Sequence, residues 1–471
     1  MMPLVSRVRA RLKQLFDKIH NDHIKRNLLQ AIPFWIGSLI TGLVAVGYAL
    51  LFGWAEEGAA WIIHHHGGWM LIVTPACFVA AWWLVARYAP YARGSGIPQV
   101  IAAVELTNPK TNDKVGRLLS LRIIVVKVIS SVIMVVGGGV VGREGPTIQI
   151  AGSIFRKVNQ WLPEWWPRVS RRNMIKAGAA AGLAAAFNTP LGGLVFAVEE
   201  LTKTHISFFK TALFTAVIIA GLTAQGLLGP YLYLGYPDVA HLSSWLFFIT
   251  ILVAAIAGLC GSGMAKIILW VLAWVRSFCS HRKHILYTVL CALIVAGVGI
   301  YFDERMFGSG KEIMTHALFT PDKELPWYVP LFRMVGSVLS FTTGGAGGVF
   351  APALGAGAGV GSVIGSWFHL ADGNMNVIVL AGMVAFLTGV TRTPFTSFIL
   401  VLEMTDRHNV IFHLMLAGMV ASLVSYLVDR HSFYDRLKHL YQKELLHDEE
   451  PVTTKTIPVT KQVKDRPDPG I

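Results

Sequence analysis

The sequence predicts an all-α polytopic membrane protein made of two homologous halves, and three observations carry that prediction. Hydrophobic residues make up 54% of the 471-residue chain and charged ones only 14%, too apolar a mixture for a water-soluble chain of this size. Apolar runs of roughly 15 to 25 residues recur along it, the length a helix needs to cross a bilayer. Landmarks also recur in one order: Gly94-Ser95-Gly96 returns as Gly308-Ser309-Gly310, Gly142 with Pro146 as Gly348 with Pro352, and Pro190 with Glu199 as Pro394 with Glu403. Their offsets are 214, 206 and 204 residues (308 − 94, 348 − 142, 394 − 190). Glycine and proline break helices at matching places in both halves, the pattern of a transporter whose site lies near the bilayer midplane.

The elements follow from the N-terminus. Residues 1–28 set Arg7, Arg9, Arg11, Lys13, Lys18, Lys25 and Arg26 among apolar Val8, Leu12, Leu15, Phe16 and Ile19, an amphipathic segment expected on the membrane surface. A first span is expected near 30–53 and a second near 69–89, joined by an external loop holding His64, His65 and His66. Three adjacent histidines do not point at one centre, so no metal is expected there. Arg93-Gly94-Ser95-Gly96-Ile97-Pro98 then interrupts the helix, and irregular backbone at membrane depth belongs where it is buried or lines a watery path.

An apolar segment over 121–141 carries a single charge, Lys127, which at that depth must face the protein interior. Residues 156–176 mix basic residues with Trp161, Trp165 and Trp166 as an interfacial belt. Residues 303–328 read as an inter-helix loop, and the last span ends near Val428 before a charged segment. The expected divisions are 1–28, a first membrane repeat 29–235, a second 236–446, and a disordered tail 447–471. The formal charge of +14 gathers in loops beside the spans, so it reads as membrane topology and not as a nucleic-acid surface. Cys77, Cys260, Cys279 and Cys291 have no metal-site or disulfide spacing, and the long basic N-terminus is unlike a cleavable signal.

Chemistry concentrates at Gly142-Arg143-Glu144-Gly145-Pro146 and Gly348-Val349-Phe350-Ala351-Pro352. Each follows a glycine cluster and opens a helix with proline just inside its start. Helix starts inside a membrane present unpaired amides and partial positive charge, so something anionic must meet them. The Glu144 carboxylate can take the place of an external anion, and protonation would release it, making one side chain both gate and proton carrier. An alternative hydrolase reading would make Ser95 a nucleophile, but no histidine falls near the centre of another span: His369, His408 and His413 lie near expected ends.

These motifs, with Tyr434 just after the final span, resemble the signature set of the CLC chloride channel and transporter family from about residue 30 to 440. The resemblance implies a fold of two inverted-topology repeats of tilted, partly broken helices, and a homodimer with a separate pathway in each subunit. It implies chloride held by the Ser95 and Tyr434 hydroxyls and the amides of Val349 and Phe350. Farther out, the amides of Arg143, Glu144 and Gly145 would hold the anion until the Glu144 carboxylate replaces it.

Antiporters of the family carry a second, inner glutamate, and Glu200 falls on that position, with Glu199 left a packing role. Lys127 and Arg333 match basic positions near the pathway. Ser95 resembles the chloride-preferring members, where proline would imply nitrate and methionine fluoride. Gln99 and Ile101 stand where acidic residues often follow the serine motif, so protons are expected to reach Glu200 by another route, past Glu105. The tail after Tyr434 also departs from the family, reading Asp435-Arg436-Leu437. The expected function is chloride/proton antiport, with a passive, proton-gated chloride channel of the same fold as the alternative. No enzymatic chemistry, metal or cofactor is expected, chloride being bound as substrate. The protein is expected in a prokaryotic inner membrane with both termini cytoplasmic and no paired nucleotide-binding modules after Tyr434.

Overall fold

A computed structural model describes residues 21–202, 210–229, 232–239, 242–243, 245–278 and 280–447. The basic positions from Arg7 to Lys18, Cys279 and the tail from residue 448 lie outside them. Among the described residues, seven helical stretches are long and apolar enough to cross a membrane.

The first half runs α1 (Asp22–His66), α2 (Met70–Tyr88), α3 (Ile97–Leu106), α4 (Val115–Leu118), α5 (Leu121–Val136), α6 (Glu144–Trp161), α7 (Arg171–Phe187), α8 (Pro190–Phe196) and α9 (Lys210–Leu228). The second runs α10 (Leu246–Arg276), α11 (His281–Tyr301), α12 (Lys311–Phe319), α13 (Tyr328–Thr342), α14 (Phe350–Trp367), α15 (Asp372–Thr391), α16 (Pro394–Thr405) and α17 (Ile411–Ser425). One more helix, α18 (Phe433–His447), follows the repeats. Residues 206 apart start α6 and α14 and end them too (350 − 144, 367 − 161).

The inversion is visible where helices meet head-on. Gly142 and Gly348 exchange both backbone hydrogen bonds in an antiparallel bridge, each 2.8 Å, so the starts of α6 and α14 abut. Near the other end of the repeats, α8 and α16 lie antiparallel. The Glu199 carboxylate accepts from the Phe395 and Thr396 amides at 3.2 and 2.7 Å, while Glu403 accepts from Leu191 and Gly192 at 2.9 and 2.7 Å. Each helix thus carries, near its end, the acidic cap for the other's start, where orphan amides favour a negative charge.

Burial sorts the helices into shell and centre. Leu121, Val125 and Ile129 form an exposed apolar stripe on α5, and α1 likewise exposes Ile36, Leu39, Leu43 and Leu50, as lipid-facing surfaces do. By contrast α15 is buried along almost its whole length and α14 along all but its last residues.

The chain differs from expectation in three loops. His64, His65 and His66 close the last turn of α1 instead of forming a loop. Gly58 is the only glycine or proline between Glu56 and Gly67, and one glycine weakens a helix without ending it, whereas the Gly67-Gly68 pair ends it and a single 3₁₀ turn leads into α2. Residues 303–328 hold α12, which starts after Gly310 takes a left-handed conformation at φ 95°. The belt at 156–176 is mostly helical, because α6 runs on to Trp161 and Ser170 caps α7 through the Asn173 amide.

Candidate anion and proton pathway

Four helix starts or ends converge on the middle of the fold. The turn at Gly94-Ser95-Gly96 lies beside the α14 start, with Gly94 donating to Gly345 O at 2.8 Å and Gly347 donating to Gly94 O at 3.1 Å. It also packs onto the start of α6. A Cβ on Gly145 would lie 2.3 Å from Ser95 Oγ, and one on Gly96, itself at φ 106°, would lie 2.7 Å from Gly145 O. Only glycine permits that approach at either position. Ser95 is 1% exposed, so its hydroxyl is delivered to the α6 start inside the protein.

Tyr434 reaches the same place from α18. Its side chain is buried, and its hydroxyl faces that of Ser95 without a hydrogen bond of ordinary geometry. Two enclosed hydroxyls without a protein partner form a donor pair suited to an anion, since a buried polar group needs a partner. The placement of α18 follows from ionic ties to α3. Lys438 Nζ binds Glu105 at 2.9 Å, Gln442 donates to the same carboxylate at 2.7 Å, and Arg93 pairs with Glu444. Glu105 is therefore a fastening between the helices that carry the two hydroxyls.

Glu144 opens α6 and is 1% exposed. Its carboxylate folds back over Gly142, where a Cβ would meet Oε2 at 2.3 Å, and the same Cβ would meet Ala351 and Pro352 of α14 at 3.1 and 3.2 Å. The backbone N–H groups of Glu144 and Ala351 face the carboxylate, though neither oxygen makes an ordinary hydrogen bond. The acid therefore occupies the point where the α6 and α14 starts converge. Arg143 turns away, donating to Ala49 O at 3.0 Å. Val349 and Phe350 start α14, where the first amides have no carbonyl partner within the helix, and the Phe350 ring packs on Phe187 with centroids 5.8 Å apart.

Glu200 is 5% exposed and sits in a π-helical turn, Ala197–Thr202, that prolongs α8 and packs against α3 and α7. Widening the turn lets adjacent glutamates diverge, Glu199 outward to cap α16 and Glu200 into the protein. Such π-turns often mark functional sites. Both the Glu144 and Glu200 carboxylates are close enough to Tyr434 to act on its hydroxyl electrostatically.

Lys127 and Arg333 are fully buried and occupy equivalent places 206 residues apart (333 − 127). Lys127 Nζ donates to Ala92 O and Gly94 O at 2.9 and 2.8 Å, while Arg333 donates to Met306 O, Phe307 O and Gly308 O at 2.8, 3.1 and 2.6 Å. Each cation ties down the glycine-serine turn of its own half.

The sequence reading noted Gln99 only for its missing charge and passed over Gln149; the amides of both donate to Tyr91 O, at 3.3 and 3.1 Å, and support the Ser95 turn from behind. It also missed Ser130 and Ser340, which accept from Ala346 N and Val140 N and so pin each glycine cluster to the other half. The available signal was a lone polar side chain in an apolar helix, which marks an internal face.

Comparison with known proteins agrees with this architecture. The H(+)/Cl(−) exchange transporter ClcA of Citrobacter koseri is 29% identical over 410 residues, covering 82% of this chain and 83% of the relative. The ClcA of Salmonella paratyphi B is 30% identical over 414 residues, covering 83% and 84%. A slow cyanobacterial Cl−/H+ antiporter superposes with a TM-score of 0.77 at 23% identity, covering 88% of this chain and 98% of that one. A CLC-type fluoride/proton antiporter gives 0.73 at 19% identity, and at such identities these two likenesses speak for the fold alone. Residues 76–426 match the family described as voltage gated chloride channel, and with that match spanning most of the folded core, the chain belongs to the CLC family.

Proposed function

We propose that the protein exchanges chloride for protons, each subunit of a homodimer carrying its own pathway. The observation that carries this reading is the Glu144 carboxylate seated where two helix starts converge, the position that also suits an anion. Ionised, it competes with chloride for the same amides; protonated, it loses the charge that holds it there and swings away. A buried Glu200, close enough to act on the Tyr434 hydroxyl, supplies the second proton station, and the Ser95–Tyr434 hydroxyl pair supplies the chloride site. The similar proteins named as chloride/proton exchangers support the same reading. Integral membrane placement follows from the spans; both termini are assigned to the cytoplasm of a prokaryotic inner membrane, where the basic N-terminal segment belongs.

Vesicles containing the purified protein, with voltage clamped by potassium and valinomycin, test the reading. A chloride gradient should drive protons uphill, and Glu144→Ala should abolish that movement while chloride continues to flow. Chloride flux without proton flux in the wild type would instead establish the passive channel.

A further inference from the structure

Where α6 ends, the chain turns back through a basic stretch: residues 156–176 hold six cations, from Arg156 to Lys176, against one acid, Glu164. A small cavity of about 80 Å³ lies there, between the last turns of α6, the first turns of α7 and the bend from α3 to α4. Its polar lining is Arg156, Arg171, Asn112, Asn159 and Gln160, of which Arg171 and Gln160 are exposed at the surface. We propose that the cavity binds a single inorganic phosphate ion. The assignment goes beyond the transport reading and stands whether or not that reading holds.

Charge is the first argument. Among the described residues, neither arginine has an ion pair with a carboxylate, and the neighbouring charge that acts on Arg156 is Arg171 itself. Two cations lining one half-closed space repel each other. An anion between them turns that repulsion into two attractions.

Geometry is the second. Arg156 donates to Leu119 O at 2.8 Å, and a Cβ on Gly116 would meet its Nη2 at 3.2 Å. Its guanidinium is thus held in place with most of its five N–H donors still unspent. A fixed planar fork suits the paired oxygens of an oxyanion, and a spherical halide offers it no matching pair of atoms. The space admits roughly five water-sized atoms at about 15 Å³ each, the size of one phosphate and too little for a sugar or a base.

The three carboxamides choose among oxyanions. Inorganic phosphate near neutral pH keeps a P–OH, which needs an acceptor, and a carboxamide supplies an acceptor oxygen beside N–H donors for the bare oxygens. Asn159 gives an N–H to Val169 O at 3.3 Å, which leaves its carbonyl oxygen for that role. Sulfate has no proton to offer it.

The test is isothermal titration of the full-length protein in detergent with sodium phosphate at pH 7.5, in constant chloride and at matched ionic strength. Saturable binding is expected, roughly tenfold tighter than that of sulfate, as one hydrogen bond involving a charged group makes it. Arg171→Gln and Arg171→Lys should each weaken it about tenfold or more, since lysine keeps the charge and loses the fork. Arg171 is exposed and makes no hydrogen bond among the described residues, so neither change threatens folding. Arg168→Gln, a charge removed from another cavity, should leave binding as it was. No binding, equal affinity for phosphate and sulfate, or wild-type affinity in either Arg171 variant overturns the site. Phosphatidic acid bound with the same dependence on Arg171, while inorganic phosphate is not, would assign the lining to a lipid headgroup and overturn the free ion.

Discussion

The two halves share a backbone and differ in chemistry. Turn for turn, Ser95 answers to Ser309, Glu144 to Phe350, Lys127 to Arg333, and the pair Glu199-Glu200 to Glu403-Met404. Where the side chain holds the fold, the halves agree: a buried cation fastens each glycine-serine turn, and an acidic residue caps the partner helix. Where it faces the pathway, they diverge. Ser95 presents a buried hydroxyl without a partner, whereas the Ser309 amide binds Glu56 at 3.0 Å. Glu144 brings a carboxylate to the centre and Phe350 an aromatic ring. The glutamate end of α8 widens into a π-turn, while α16 stays α-helical. Duplication thus supplied a symmetric frame, and the departures from symmetry fall on the side chains proposed to handle chloride and protons.

Four paired substitutions can break or sharpen that comparison. The largest contrast is expected at the helix ends: Glu200→Gln should lower chloride-driven proton flux by roughly a hundredfold, as loss of a proton-transfer group does. Met404→Gln should leave it unchanged, so a comparable loss at Met404 would deny Glu200 its special place.

Next come the two fasteners. Lys127→Met and Arg333→Met each strand buried carbonyls and should destabilise by about 2–5 kcal/mol, more at Arg333 with its three acceptors. Thermal unfolding in detergent reads this directly. Chloride affinity of the surviving protein should fall at Lys127 and hold at Arg333, because only the first supports Ser95.

Removing the hydroxyls is expected to be gentler. Ser95→Ala should weaken chloride binding about tenfold, near 1.4 kcal/mol for one hydrogen bond to an anion. Ser309→Ala should change it less than about twofold, because its structural bond to Glu56 comes from the backbone. Isothermal titration with chloride decides between them.

The smallest effect should come from the reciprocal caps. Glu199→Gln and Glu403→Gln should each cost about 1 kcal/mol of stability, in line with a lost helix-cap charge. Only Glu199→Gln should also slow proton flux, since it alone adjoins Glu200 at the π-turn. Equal flux in both variants would separate the caps from proton transfer.

Sequence alone determined the membrane class, the duplication and the positions of the helix starts. Hydropathy and Gly/Pro breaks are local signals, and the 206-residue register of Gly142 and Gly348 survives in residue identities. It marked Ser95, Glu144 and Lys127 because a polar or charged residue is conspicuous in or beside an apolar run, whereas Glu200, Arg333 and Tyr434 were marked through the resemblance to the CLC family. The tertiary structure alone decided what those residues touch. Nothing in Lys127 or Arg333 announces that two carbonyls of one turn converge on the first and three of another on the second, and nothing in Glu199-Glu200 says which faces inward, since a π-turn rotates one residue past the other. Glu105, expected beside a proton route to Glu200, is also a clamp between α3 and α18, because Lys438 and Gln442 arrive from more than 300 residues later (438 − 105 = 333). Those outcomes depend on pairings between distant helices, which leave no period or motif in either strand of sequence and exist only once the two halves have packed head to head.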